Sequence, residues 1–96
     1  MELHYTIYTK PKCTYCDKIK ELLKDAPIPP VWVDCTKYLT SDSTKQLFLQ
    51  FILDTAKLPE LYRTFPIVFC NGQFIGGYTE TKLFHEKNIF NLKRDF

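Results

Sequence analysis

Leu3-His4-Tyr5-Thr6-Ile7-Tyr8, the loop Thr9-Lys10-Pro11-Lys12, and then Cys13-Thr14-Tyr15-Cys16 form the stretch that decides how this chain folds. Residues 3–8 are rich in β-branched and aromatic side chains and predict a strand. Cys16, Ile19, Leu22 and Leu23 recur at helical spacing and predict a helix from about Thr14 to Lys24, stopped by Pro27. Two thiols three positions apart can share one helical turn and close a disulfide. A C-x-x-C between a strand and a helix is a redox arrangement. The helix start offers unpaired N–H groups and partial positive charge, which favour the thiolate of the first cysteine, the form that reacts. Lys10 and Lys12 add positive charge nearby, and Asp17 works modestly against them. Lys12 reads equally well as a solvated loop lysine.

Outward from this stretch the remaining elements follow. Val31-Trp32-Val33-Asp34 predicts a second strand. Ser41 or Ser43 can cap a second helix with Leu47, Phe48, Phe51 and Ile52 as its apolar face. Pro59 interrupts that pattern, so Lys57 to Arg63 is expected as a loop or a short extra helix. Pro66-Ile67-Val68-Phe69 predicts a third strand. Asn71-Gly72 is a hairpin turn, and Gln73-Phe74-Ile75 returns as a fourth strand. Gly76-Gly77 ends it, Thr79 can cap a third helix with Glu80 in its first turn, and Leu83 and Phe84 are expected to face inward. The order β-α-β-α-β-β-α suits an α/β fold with one mixed four-stranded sheet flanked by helices. The first helix supplies the crossover that parallel pairing of the first two strands needs.

Composition bounds the function. A chain of 96 residues, 45% hydrophobic, supports one domain over residues 1–96. A formal charge of +2 from 13 basic and 11 acidic residues is too mild for a nucleic-acid partner. The segment Met1-Glu2-Leu3-His4 shows no positively charged region followed by an apolar run, so no signal peptide is expected, and no run approaches the roughly 20 apolar residues of a membrane span. The expected setting is a reducing compartment, the cytoplasm, where C-x-x-C means catalysis or metal. Cys35 and Cys70 stand alone at predicted strand ends and read as free thiols. With no second C-x-x-C, a four-thiol metal site is not expected. His4 and His85 lie far from every motif.

Three blocks together resemble the glutaredoxin family: Tyr8-Thr9-Lys10-Pro11-Lys12-Cys13-Thr14-Tyr15-Cys16, Arg63-Thr64-Phe65-Pro66 and Gly76-Gly77-Tyr78-Thr79-Glu80. The resemblance implies a thioredoxin-like fold and a glutathione-dependent thiol–disulfide oxidoreductase of the dithiol type. It implies Cys13 as nucleophile and Cys16 as the resolving thiol. It also implies a glutathione site: Lys10 facing the glycine carboxylate, Tyr15 flanking the reactive sulfur, and Thr64-Phe65-Pro66 bringing a cis proline beside Cys13. Gly77-Tyr78-Thr79-Glu80 would receive the γ-glutamyl end, as N–H groups opening a helix bind a carboxylate. Gln46 or Gln50 could assist from the second helix. Implied partners are glutathione and disulfide-bearing or glutathionylated proteins, ribonucleotide reductase being a common partner in the family, and the chain is expected to be a monomer.

Two departures stand out. Thr14 occupies a position where many members have Pro, and residues 54–62 look longer than usual. Because Pro there tends to disfavour cluster binding, Thr14 keeps open a second function. In it, two chains share a [2Fe–2S] cluster through each Cys13 and one glutathione per chain. A third reading, a redoxin served by a flavoprotein reductase, is opposed by the Thr64-Phe65-Pro66 and Gly76-Gly77-Tyr78 blocks.

Overall fold

The computed structural model describes residues 2–93, with side chains described as far as Asn88. β1 (Tyr5–Thr9) is followed by α1 (Thr14–Leu22), β2 (Val31–Asp34), a 3-10 turn over Thr36–Leu39 and α2 (Asp42–Ala56). β3 (Ile67–Cys70), β4 (Gln73–Gly76) and α3 (Tyr78–Lys93) complete the order expected from sequence. The four strands form one sheet in the order β2-β1-β3-β4. β1 pairs with β2 in parallel, Thr6 opposite Val31, and with β3 antiparallel, Ile7 opposite Val68.

Strand alternation divides the apolar residues between two faces. Tyr5, Ile7, Val68 and Cys70 pack with Ile19 and Leu23 of the α1 segment, and with partly buried Tyr78 and Phe84 of α3. Ile67 and Phe69 point the other way, onto Phe48, Leu49 and Ile52 of α2. All four residues of β3 are buried, as expected for a strand covered on both faces.

Element ends differ from the sequence reading for local reasons. β1 starts at Tyr5 rather than Leu3, because the hairpin residue Asn71 takes the next bonds. Its Oδ1 accepts the His4 N–H at 2.9 Å, and its own N–H donates to the His4 carbonyl. α1 ends at Leu22, well before Pro27. Leu23 caps it by donating to the Ile19 carbonyl, and its buried side chain is drawn into the core. β3 begins after Pro66, which has no N–H to give the ladder. Residues 57–66 carry no further helix; Lys57 closes α2 in the left-handed conformation.

Two inward faces need correction. On α2 the buried stripe is Phe48, Leu49 and Ile52, whereas Leu47 is 71% and Phe51 49% exposed. The apolar band on this helix is wider than the sheet can cover, and the 47/51 pair falls on its uncovered flank. On α3, Leu83 is 67% exposed. The helix starts at Tyr78, so Tyr78, Thr81 and Phe84 form the stripe on the sheet, and Thr81 is fully buried.

Ser41 is the N-cap of α2, its Oγ accepting the Thr44 N–H at 3.3 Å. Ser41→Ala is expected to lower stability by about 1 kcal/mol in urea unfolding, and Ser43→Ala to have little effect.

α3 is also tied to β1 by a polar contact that the sequence did not announce: Tyr5 Oη lies 2.8 Å from His85 Nδ1. Burial pushes the His85 imidazole below its ordinary range, with Glu86 opposing. Burial, with Cys70 adding to it, holds the Tyr5 phenol above its range. A neutral phenol and a neutral imidazole therefore share this hydrogen bond, its donor set by the ring tautomer. Below pH about 6.5 the unfolded chain takes a proton that the folded chain resists. The stability His85 contributes is thus present above that pH and lost as pH falls toward the depressed native value. Denaturant titrations between pH 7.5 and pH 5 are expected to show this decline, and His85→Gln to flatten it.

Candidate active site

Cys13 sits where β1 has handed the chain through a tight loop to α1. Lys12, at φ 54°, makes the turn. Cys13 is then the N-cap of α1 in extended conformation, and its Sγ accepts the Cys16 N–H at 3.2 Å. The sulfur therefore lies at the positive end of the helix, where an anion is favoured. Cys13 and Cys16 are joined as a disulfide with their Cα atoms 5.2 Å apart. Cys13 is 9% exposed and Cys16 1%, so Cys13 is the outer of the two cysteines.

The segment before β3 comes against this pair. Phe65–Pro66 is a cis peptide, and the Phe65 carbonyl oxygen lies 3.7 Å from Cys13 Sγ. Gly77 approaches the same segment closely: a Cβ there would meet Tyr62 Oη at 3.1 Å and the Pro66 carbonyl at 3.6 Å. Three loops distant in sequence thus meet around one sulfur.

They enclose an open groove of about 520 Å³, lined by Lys10, Lys12, Cys13, Thr14, Tyr15, Arg63, Thr64, Phe65, Tyr78, Thr79 and Glu80. Eight residues expected from sequence are brought together here: Lys10, Cys13, Tyr15, Thr64, Phe65, Tyr78, Thr79 and Glu80. Cys16, Pro66 and Gly77 are buried and shape the groove from behind. Gln46 and Gln50 do not line it, and Gln50 donates to Asp54 on its own helix. Arg63 joins them without being among the expected site residues; its place beside Thr64-Phe65-Pro66 is the signal for it in the sequence.

Side chains across the groove are ordered by contacts of their own. Lys10 Nζ lies 5.5 Å from the Phe65 ring centroid. Tyr15 and Tyr78 rings face each other at 5.9 Å, with Lys18 Nζ over both. At the start of α3 the cap differs from expectation. Thr79 is already inside the helix, and Glu80 reaches back to accept the Gly77 N–H at 2.7 Å. That is the second half of a capping box, with glycine where Ser or Thr would stand.

Cys35 and Cys70 are buried and free. Burial, with Asp34 adding to it, pushes the Cys35 thiol up to about 11, and burial also raises Cys70. Neither lines the groove, and neither supplies a thiolate near neutral pH.

The glutaredoxin family model matches residues 5–75, spanning the Cys13 loop, the Thr64-Phe65-Pro66 segment and the hairpin. The chain belongs to the glutaredoxin family. Glutaredoxins are glutathione-dependent disulfide oxidoreductases, and the Cys13–Cys16 pair has the spacing of a dithiol active site. Monothiol glutaredoxin-S12, chloroplastic, of Arabidopsis thaliana is 33% identical over 81 residues, covering 84% of this chain and 41% of that protein. The chain thus spans about two-fifths of that relative's length. Among solved structures, glutaredoxin 1 from Francisella tularensis, complexed with cacodylate, superposes with TM-score 0.73 at 23% identity, covering 91% of this chain and 96% of that one. The buckwheat glutaredoxin–glutathione complex gives 0.64 at 23%, with 88% and 69% covered. The holo form of glutaredoxin C1 from Populus tremula x tremuloides gives 0.65 at 24%, with 95% and 83% covered. These likenesses show the thioredoxin-like glutaredoxin fold. No helix among the described residues is long and apolar enough to cross a membrane.

Proposed function

We propose that this glutaredoxin, acting as one domain in a reducing compartment such as the cytoplasm, reduces glutathione mixed disulfides and protein disulfides with Cys13 as nucleophile. The observation that carries the proposal is the asymmetry of the pair: Cys13 opens onto the groove at a helix start, and Cys16 is buried behind it.

In the one-thiol route the Cys13 thiolate attacks the glutathionyl sulfur of a mixed disulfide. The substrate leaves as a thiolate and takes a proton. A second glutathione thiolate then attacks the same glutathionyl sulfur, releasing Cys13 and forming glutathione disulfide. In the two-thiol route Cys13 forms a mixed disulfide with the protein substrate. Cys16 then attacks Cys13 Sγ and expels the substrate thiol, leaving the Cys13–Cys16 disulfide, which two glutathione molecules reduce. The Cys16 N–H aimed at Cys13 Sγ stabilises negative charge there at each departure.

Glutathione fits the groove in one orientation by charge. Lys10, with Arg63 beyond it, suits the glycine carboxylate; the backbone of Phe65 suits the cysteinyl residue, paired like an added strand. Tyr78, Thr79 and the start of α3 suit the γ-glutamyl carboxylate, and Glu80 its ammonium group. Turnover with glutathione and glutathione reductase, set against turnover with thioredoxin reductase, tests this reading. Activity only with thioredoxin reductase would refute it.

A [2Fe–2S] cluster is the second reading, kept open by Thr14 beside Cys13 in the groove. Cys13 would have to be joined by glutathione and by a second chain. Anaerobic reconstitution that leaves a colourless monomer would dismiss the cluster.

A further inference from the structure

A second recess, of about 540 Å³, lies between the sheet and α2, lined by Tyr8, Val33, Tyr38 and Phe48, with Leu47 and Phe51 at its open side. Leu47 and Phe51 are large, apolar, one helical turn apart and about half or more exposed. Core packing does not account for them, because the sheet is served by Phe48, Leu49 and Ile52.

Stacked rings run from this recess to the wall of the Cys13 groove, with the buried Phe48 as the middle ring. Tyr38 and Phe48 lie 5.4 Å apart and 5° from parallel, and Phe48 and Phe65 lie 6.1 Å apart and 9° from parallel. Phe65 is itself a wall of the Cys13 groove. A lysine stands over each end of the stack: Lys37 Nζ is 5.1 Å from the Tyr38 centroid and Lys10 Nζ is 5.5 Å from that of Phe65. The result is an apolar track with a cation at either end, leading away from the reactive sulfur.

We infer that this track docks the polypeptide segment that follows the reactive cysteine of a protein substrate, a segment with apolar side chains and acidic residues at its flanks. The inference rests on the glutathione orientation proposed above. Glutathione runs γ-glutamyl, cysteinyl, glycine, so the path from its sulfur toward the C-terminus ends at Lys10. A protein cysteine held in mixed disulfide with Cys13 takes the cysteinyl place, and its chain continues where glutathione stops. It passes Lys10 and Phe65 and comes onto Leu47 and Phe51. Its apolar side chains cover surface that glutathione is too short to reach, and Lys10 and Lys37 meet its acidic groups.

The test uses symmetrical disulfides of short peptides in which a Leu-Phe pair follows the cysteine, precedes it, or is replaced by Ser-Ser. Leu47→Ser/Phe51→Ser is the variant, chosen because both side chains are exposed and the fold does not depend on them. Wild type is expected to favour the first peptide by about tenfold in kcat/KM, the effect of half-burying two apolar side chains. The variant should lose that preference while turning over the mixed disulfide of glutathione and mercaptoethanol unchanged. Equal rates on all three peptides, preference for the peptide with the preceding pair, or a preference the variant retains would each overturn the inference. So would a wild-type dimer in sedimentation that the variant abolishes, which would assign the track to a second copy. Failure of wild type on the glutathione mixed disulfide would instead strike the proposed function itself.

Discussion

Cys13→Ser is expected to lower reduction of a glutathione mixed disulfide by about three orders of magnitude, whereas Cys16→Ser keeps most of it. The difference follows from position. Cys13 lines the groove and Cys16 does not, and a serine hydroxyl at position 13 does not ionise near neutral pH to replace the thiol. Cys16 is 1% exposed and cannot meet a substrate directly. Its removal leaves the one-thiol route intact but blocks the intramolecular attack that releases a protein substrate. Cys16→Ser should therefore accumulate a mixed disulfide with protein disulfides. A coupled glutathione reductase assay on both substrate types measures the split. Equal losses in the two variants would mean that the buried thiol takes part in both routes.

The largest stability effect is expected at Gly76. Its φ is +133°, a conformation that side chains rarely adopt, and a Cβ there would lie 2.8 Å from Glu80 Oε1 and 2.9 Å from Glu80 Cβ. Backbone strain of this kind costs of order 1–3 kcal/mol before any clash is counted. Gly76→Ala should then lose roughly 3 kcal/mol, or about 12–24 °C in Tm for a domain of this size. Gly72→Ala is the matched control. Gly72 also has positive φ, +80°, but nothing lies within 4 Å of its missing Cβ. It should lose only about 1 kcal/mol. The two variants should also differ in function. Displacing Glu80 frees the Gly77 N–H and disturbs the groove wall, so KM for glutathione should rise in Gly76→Ala and not in Gly72→Ala. Thermal melts and glutathione titrations check both halves.

Much of this architecture is legible in the residues. The strand–loop–helix around Cys13, the Asn71-Gly72 turn and the order of elements all follow from local chemistry, which the chain satisfies locally. Asn71 at φ 52° and Gly72 at φ 80° form the expected turn. What escaped reading depends on contacts between distant segments. Leu47 and Phe51 satisfy helical periodicity as well as Phe48 and Ile52 do, and only the width of the sheet decides which pair is covered. A hydroxyl is the ordinary cap, and local chemistry therefore points to Thr79. Glu80 reaching back to Gly77 makes Gly77 the cap, two residues earlier. The partnership of Tyr5 with His85 joins the first strand to the last helix, and no local signal encodes it. At the site, the motif blocks named most of the groove. Arg63 belongs to the wall only once the cis Phe65–Pro66 segment lies against Cys13.

The claim on which the rest depends is that Cys13 alone accepts the glutathionyl group. Reduced Cys16→Ser protein, exposed to glutathione disulfide in slight excess and mapped by peptide mass spectrometry, tests it directly. One glutathionyl group on Cys13, with Cys35 and Cys70 unmodified, is the predicted result. Modification of Cys35 or Cys70 in place of Cys13, or no modification of the folded protein, would contradict it.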